Sequence, residues 1–179
     1  LLRFREHKFA VTADIEKMFY MVKLPIEDRD FLRFLWLPDD PKISSPIQCR
    51  LTVHVFGAIS SPSCANFALH HAINSHPEKI GEESPQSTVK SFYVDDMIKS
   101  IPNEHDAISF VTSLRNHLLE YGFNLTQFAS NNRTVLRSLP NENLSKQLKN
   151  FEFEKELPVE YALGMVWEPE NDSLAVRQK

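Results

Sequence analysis

The chain has 179 residues, 42% of them hydrophobic and 25% charged, an ordinary globular composition with room for one domain and a sub-domain. Its net charge of −4 argues against a surface that binds nucleic acid by charge alone. Residues 1–55 carry nine Lys/Arg against eight Asp/Glu, and the remainder carries eleven against sixteen. No apolar run approaches the roughly 18 to 20 residues of a membrane span, and the start, Leu1-Leu2-Arg3-Phe4-Arg5, has no signal-peptide plan.

The chain lacks an initiator methionine and opens in mid-pattern, which reads as a fragment of a longer polypeptide. Cys49 and Cys64 have neither CxxC nor Cys/His zinc spacing and are expected to stay reduced in an intracellular setting.

In chain order, Lys8 to Asp14 reads as a strand that delivers Asp14 at its end, followed by a turn of helix from Glu16 to Tyr20. Phe31 to Leu37 and Ile47 to Phe56 read as a strand pair joined through Pro38 to Pro46, with Leu51, Val53 and Val55 alternating against Arg50, Thr52 and His54. Ser60-Ser61-Pro62 is a helix entry, and the helix is predicted over 62–75 with Ala65, Leu69, Ala72 and Ile73 inward. A polar loop from Pro77 to Ser87 leads to a predicted hairpin, Thr88 to Tyr93 going up and Met97 to Ile101 coming down.

Asn103, with Asp106 three residues on, caps a second predicted helix carrying Ile108, Val111, Leu114, Leu118 and Tyr121, which Gly122 ends. Phe123 to Phe128 is a predicted strand and Ser130 to Asn150 irregular or weakly helical. Tyr161 to Trp167 with Ser173 to Val176 is a predicted closing hairpin. Without residues 20–56 the order is strand, helix, strand, strand, helix, strand, the split βαββαβ plan of ferredoxin-like α+β domains, with an antiparallel sheet and helices on one face.

Asp95 and Asp96 stand at the centre of the run Ser91-Phe92-Tyr93-Val94-Asp95-Asp96-Met97-Ile98-Lys99-Ser100. Adjacent carboxylates in a strand-like run oppose both propensity and electrostatics unless a cation sits there. Successive residues point different ways, so only one of the two is expected to face a given site. The split βαβ plan brings Asp14, 81 residues earlier, beside Asp95. Such an all-oxygen set suits Mg²⁺ or Mn²⁺, and two ions held there could clamp the attacking and leaving oxygens of a phosphoryl transfer.

Asp14 followed by Met18 and Phe19, Gly57 before Ser60-Ser61-Pro62, and Tyr93-Val94-Asp95-Asp96 together resemble the palm of retroelement reverse transcriptases. The wording of Thr12-Ala13-Asp14-Ile15-Glu16-Lys17-Met18-Phe19, Leu32 to Trp36, His54 to Ala58 and Ser60 to Ala65 is similar to the Pao/BEL LTR retrotransposons. The resemblance runs from about Phe9 to Trp167. It implies RNA-directed DNA synthesis, with two divalent ions on Asp14 and Asp95 assisted by the Ile15 carbonyl, and Asp96 as a required acidic neighbour. Partners would be a primed RNA or DNA template, deoxynucleoside triphosphates and the missing fingers and thumb segments of the parent polyprotein, with no membrane, in the cytoplasmic virus-like particle of the parent element.

Lys17 and Met18 would offer backbone N–H groups to the triphosphate, and Phe19 would be the aromatic gate against a ribose 2′-OH. Gly57 would let backbone approach the templating pair, and Leu163-Gly164 would grip the primer. The whole of 1–179 would then be palm, with 21–56 a partial fingers insertion and 158–179 a primer-grip-like hairpin. The fragment alone is expected to be inactive.

Taken on its residues alone, Phe19 fits a core aromatic, and Tyr93 and Val94 fit core strand positions. His54, His70, His71 and His117 show no metal spacing and read as structural or solvent-facing, and Glu152, Glu154 and Glu156 as the wet face of an edge segment. Two positions depart from the retroviral pattern. Phe56 replaces the glutamine before the glycine, as in Pao/BEL elements. Gln127 stands where a lysine is the candidate proton donor to pyrophosphate, and neighbouring Arg133 is a poor acid. The alternative reading is a catalytically incompetent relic or a nucleic-acid-binding module that keeps the palm fold.

Overall fold

The computed structural model describes residues 2–37 and 45–176. In chain order its elements are β1 (Phe9–Ile15), β2 (Arg33–Trp36), β3 (Ile47–Arg50), α1 (Ser61–Ser75), α2 (Pro85–Val89), β4 (Phe92–Tyr93), β5 (Asp96–Ile101), α3 (Glu104–Glu120), β6 (Leu125–Ser130), α4 (Arg133–Arg137), β7 (Glu160–Ala162), β8 (Met165–Glu168) and β9 (Ser173–Val176). They form two compact units, one of residues up to Glu16 together with those from Leu69 onward, the other Lys17–Ala68.

In the first unit β4, β5, β1 and β6 form one sheet in that order, and every neighbouring pair is antiparallel. This is the order of the split βαββαβ plan, so the predicted α+β class is the one observed. Cross-strand partners share a face. Ala13↔Met97 and Phe9↔Ile101 therefore turn one way, towards α3, while Thr12↔Ile98 and Asp14↔Asp96 turn the other.

Helix α3 lies against β1, β5 and β6 and buries Ala107, Phe110, Val111, Leu114, His117 and Leu118. Its ends follow the predicted chemistry. The Asn103 side chain accepts from the Asp106 N–H at 2.9 Å. At the other end Phe123 N–H reaches the Leu118 carbonyl and Gly122 N–H the Leu119 carbonyl, both at 3.0 Å, with Gly122 at φ +85. That is the Schellman pattern, and it requires a residue at ease in the left-handed region. The His117 ring, buried and bonded through Nε2 to the Ala72 carbonyl at 2.8 Å, sets the end of α1 beside α3.

Ala65, Leu69, Ala72 and Ile73 of α1 are buried, as predicted. Of the predicted α3 stripe, Ile108 and Tyr121 are only half-buried, and Ala107 and Phe110 take the inward positions instead.

The ascending arm of the hairpin differs from the prediction. Thr88 and Val89 belong to α2, because Ser84 caps the Ser87 N–H and Pro85 opens the first turn, leaving only Phe92–Tyr93 to pair with β5. Lys99 of β5 fixes α2 in place. Its buried ammonium bonds the Ser87 hydroxyl and the Glu83 carboxylate, each at 2.9 Å, and lies over the Phe110 ring.

The predicted closing hairpin is a three-stranded meander, β7-β8-β9, because Leu163-Gly164 already makes a two-residue turn between β7 and β8. Trp167 anchors the meander. It is fully buried edge-on to Phe4, and its Nε1–H donates to Asp172 at 3.1 Å. Glu152, Glu154 and Glu156 are exposed, as expected, but in irregular chain rather than in an edge strand. Within 130–150, α4 is a regular helix, capped by Asn132.

In the second unit β2 pairs with β3 from Arg33↔Arg50 to Trp36↔Ile47. The second predicted strand stops at Arg50 rather than Phe56, because the following residues pair elsewhere: Leu24 N–H bonds the Thr52 carbonyl at 2.9 Å and His54 N–H the Val22 carbonyl at 3.0 Å. Leu51, Val53 and Val55 are half-buried and Arg50 and Thr52 exposed, as the alternation expects, but His54 is buried, its Nδ1 3.3 Å from the Ser61 hydroxyl. Most of the predicted Pro38–Pro46 connection lies outside the described residues. Both cysteines are free.

Candidate active site

Tyr93 and Asp96 pair across the β4-β5 hairpin, leaving Val94 and Asp95 as its two-residue tip. Val94 sits at φ +57, a region in which a β-branched residue is strained by roughly 1–3 kcal/mol. Tyr93 is exposed, so neither residue is the core strand position that composition suggests. The tip is tied to the neighbouring strand, because Ile15 N–H donates to the Asp95 carbonyl at 2.9 Å. Register does the rest by setting Asp14 opposite Asp96.

Asp14, Asp95 and Asp96 are all half-buried. Burial, then the charges of Asp95, Asp96 and Glu16, push the Asp14 carboxyl up to about 6. Burial and then Asp95 raise Asp96 as well. Asp96 shares a face and a cleft with Asp14, while the charges of both Asp95 and Asp96 reach it. At the hairpin tip the two are not in the alternating geometry of a straight strand.

Among the described residues none of these three carboxylates joins an ion pair, and like charge accumulates at the site. That suits a divalent cation. Among the described residues no three His, Cys, Asp or Glu side chains converge as a finished ligand set.

Beside Asp14 the sheet is irregular. Thr12 pairs with Ala129 but Asp14 with Thr126, so β6 carries one extra residue, a bulge in which Gln127 adopts φ +53. Two clefts meet at this point. One, of about 460 Å³, is lined by Asp14, Asp96, Gln127, Lys146, Glu160 and Leu163 among others. The second, of about 350 Å³, holds Asp14, Glu16, Gln127, Glu142 and Lys149. Leu163 and Gly164, both at positive φ, form the β7-β8 turn that presents Leu163 to the first cleft.

Lys17, Met18, Phe19 and Gly57 belong to the second compact unit. Lys17, at φ +52, caps a 3₁₀ turn, Met18–Met21, that follows β1 directly. Phe19 is buried with its ring edge-on to that of the exposed Phe56, centroids 4.6 Å apart. A Cβ placed on Gly57 would meet nothing within 4 Å, so it is the +90° φ that asks for glycine there.

Arg133 is committed elsewhere, to the carbonyls of Phe153 and Lys155 and to the Glu170 carboxylate at 2.7 Å. Sequence reading passed over Glu16, whose charge acts on Asp14, and Glu160, buried and bonded to the Ser145 hydroxyl. Glu16 lies within the Thr12–Phe19 motif but carries no assigned role there, and Glu160 stands in no motif.

Because Asp14 holds its proton more tightly folded than unfolded, its ionisation lowers stability. The loss begins above the ordinary value of 3.8, grows as pH rises through about 6 and persists above that. In metal-free solution at pH 8, Asp14→Asn should therefore stabilise the chain by about 1 kcal/mol, allowing for solvent screening of a half-exposed carboxyl. At pH 4 the difference should nearly vanish, and denaturant midpoints at the two pH values would measure both.

A family model described as reverse transcriptase (RNA-dependent DNA polymerase) matches residues 2–131, a span that contains Asp14, Gly57, Asp95 and Asp96. No curated protein matches the chain. With more than half of its length matched and the antiparallel palm order in place, the chain belongs to the reverse transcriptase (RNA-dependent DNA polymerase) family.

Proposed function

We propose that this chain is the catalytic palm of an RNA-directed DNA polymerase from a Pao/BEL-type LTR retrotransposon. One observation carries the catalytic part: Asp14 and the Asp95-Asp96 tip meet on adjacent strands as uncompensated carboxylates. The lineage rests on the motif wording alone, as does the placement of the parent element in a cytoplasmic virus-like particle. The family implies a nucleic-acid template and deoxynucleoside triphosphates as partners, and its members use divalent metal ions. Among the described residues no helix is long and apolar enough to cross a membrane.

In the proposed reaction the primer 3′-oxygen attacks the α-phosphorus, the bond to the β-phosphate oxygen breaks, and pyrophosphate leaves. Two Mg²⁺ or Mn²⁺ ions, when bound, would neutralise the charge that develops on the attacking and leaving oxygens. Asp14, Asp95 and the Ile15 carbonyl would hold them, and Asp96 would keep the local field negative enough to favour them. Lys17 and Met18 would bind the triphosphate through their backbone N–H groups, since the left-handed Lys17 turns the chain directly after the carboxylate strand. Phe19 would fill the space of a ribose 2′-OH, Gly57 would face the templating pair, and Leu163-Gly164 would grip the primer. Residues 21–56 would be fingers and 158–179 the primer-grip segment.

Primer extension tests the catalytic reading. A polypeptide containing this chain, given a primed RNA template, Mg²⁺ and four deoxynucleotides, should extend the primer. Asp95→Asn should reduce the rate by about 10²- to 10³-fold, the order seen when one preorganised electrostatic group is removed. Extension that survives this substitution would refute the assigned site. In the same assay Phe19→Ala should admit ribonucleotides while metal dependence is kept. Unchanged sugar discrimination would assign Phe19 to the core.

A further inference from the structure

The turn that follows α4 is anchored more firmly than an exposed polar segment requires. Ser145 N–H donates to the Phe128 carbonyl of β6 at 2.9 Å, and its hydroxyl bonds the buried Glu160 carboxylate of β7. Leu144 and Leu148 are buried on either side. Leu148 and Lys149 N–H groups both return to the Ser145 carbonyl, at 3.0 and 3.1 Å, closing one tight turn. The turn is thus held through its backbone to the strand that pairs with β1, and through the Ser145 side chain to the strand that leads into the Leu163 turn.

From this turn Lys146 lines the first cleft and Lys149 the second, and Asp14 and Gln127 line both. Each is the one Lys or Arg on its cleft's wall, and among the described residues neither joins an ion pair. The acidic groups they face are unequal. In the first cleft Glu160 is occupied by Ser145, leaving Asp14 and Asp96. In the second, Glu16, Glu142 and Asp14 face Lys149.

A chain of net charge −4 with a carboxylate-rich site must find local cations to hold a polyanionic substrate, and two lysines on a fixed turn are placed for that. We propose that the Ser145–Lys149 turn is a phosphate-binding element of the polymerase site, in which Lys146 and Lys149 pair with phosphate groups of the bound primer strand or of the nucleotide. This rests on the polymerase reading. It assigns the cationic part of the site to a stretch outside the span matched by the family model.

The test uses the full chain and two probes in Mg²⁺: a fluorescein-labelled primed RNA template and a fluorescent deoxythymidine triphosphate. Lys146→Gln, Lys149→Gln and Lys146→Arg are compared with Lys79→Gln, which removes the same charge from a surface pair with Glu120. A lysine that pairs with the primer should, when changed to Gln, weaken template binding roughly three- to tenfold and lower the salt slope by about one. One that pairs with the nucleotide should weaken the second probe by a similar factor and leave the first unchanged. Lys146→Arg should retain binding.

If both Gln variants match Lys79→Gln in both arms while Asp14→Asn abolishes Mg²⁺-dependent nucleotide binding, the phosphate-binding turn is refuted and the polymerase reading stands. If the unchanged chain binds neither probe, both fall. Equal thermal midpoints across the variants would show that fold is intact.

Discussion

The site depends on one pairing, that of β1 with β5. It sets Asp14 opposite Asp96, and the Ile15 N–H bond to the Asp95 carbonyl holds the hairpin tip against the strand end. A slip of one residue would turn Asp14 to the helix face and Ala13 to the cleft. What prevents the slip is the other face, where Ala13, Met97 and Ile101 are buried beneath α3. The apolar half of each strand therefore fixes the position of the charged half.

This arrangement has a cost that the surrounding structure carries. Val94 holds a left-handed conformation foreign to a β-branched residue, Gln127 does the same in the β6 bulge, and Asp14 is pushed to about 6 by burial and by its acidic neighbours. Strain and like charge gathered at one place are more economically explained by a ligand than by folding. A cation bound there would remove the repulsion, and the Ile15 N–H bond to the Asp95 carbonyl keeps the hairpin tip beside β1.

Much of the fold was legible because its signals are local. The Asn103 cap, the Gly122 stop and the Ser60-Ser61-Pro62 entry each determine one boundary with little help from elsewhere. What misled were places where a local alternative won. Ser84-Pro85 started a helix inside a stretch that reads as strand by Thr88 and Val89, and Leu163-Gly164 made a hairpin turn inside what read as one strand. His54 went inward because residues 22–24 claimed its backbone. Of the candidate site, Asp95 and Asp96 stand out as charge in an apolar run, and Asp14 as the carboxylate that the split βαββαβ plan brings to them. The Ser145–Lys149 turn does not stand out, since its lysines sit in a polar stretch and acquire meaning only through the anchoring of Ser145 to β6 and Glu160.

Manganese titration followed by electron paramagnetic resonance tests the proposed metal site most directly. The unchanged chain should bind Mn²⁺ in a form that Mg²⁺ displaces, and Asp14→Asn and Asp95→Asn should each lose that binding while remaining folded. Equal Mn²⁺ binding by the unchanged chain and both variants would contradict the assignment of the carboxylate cluster as the metal centre.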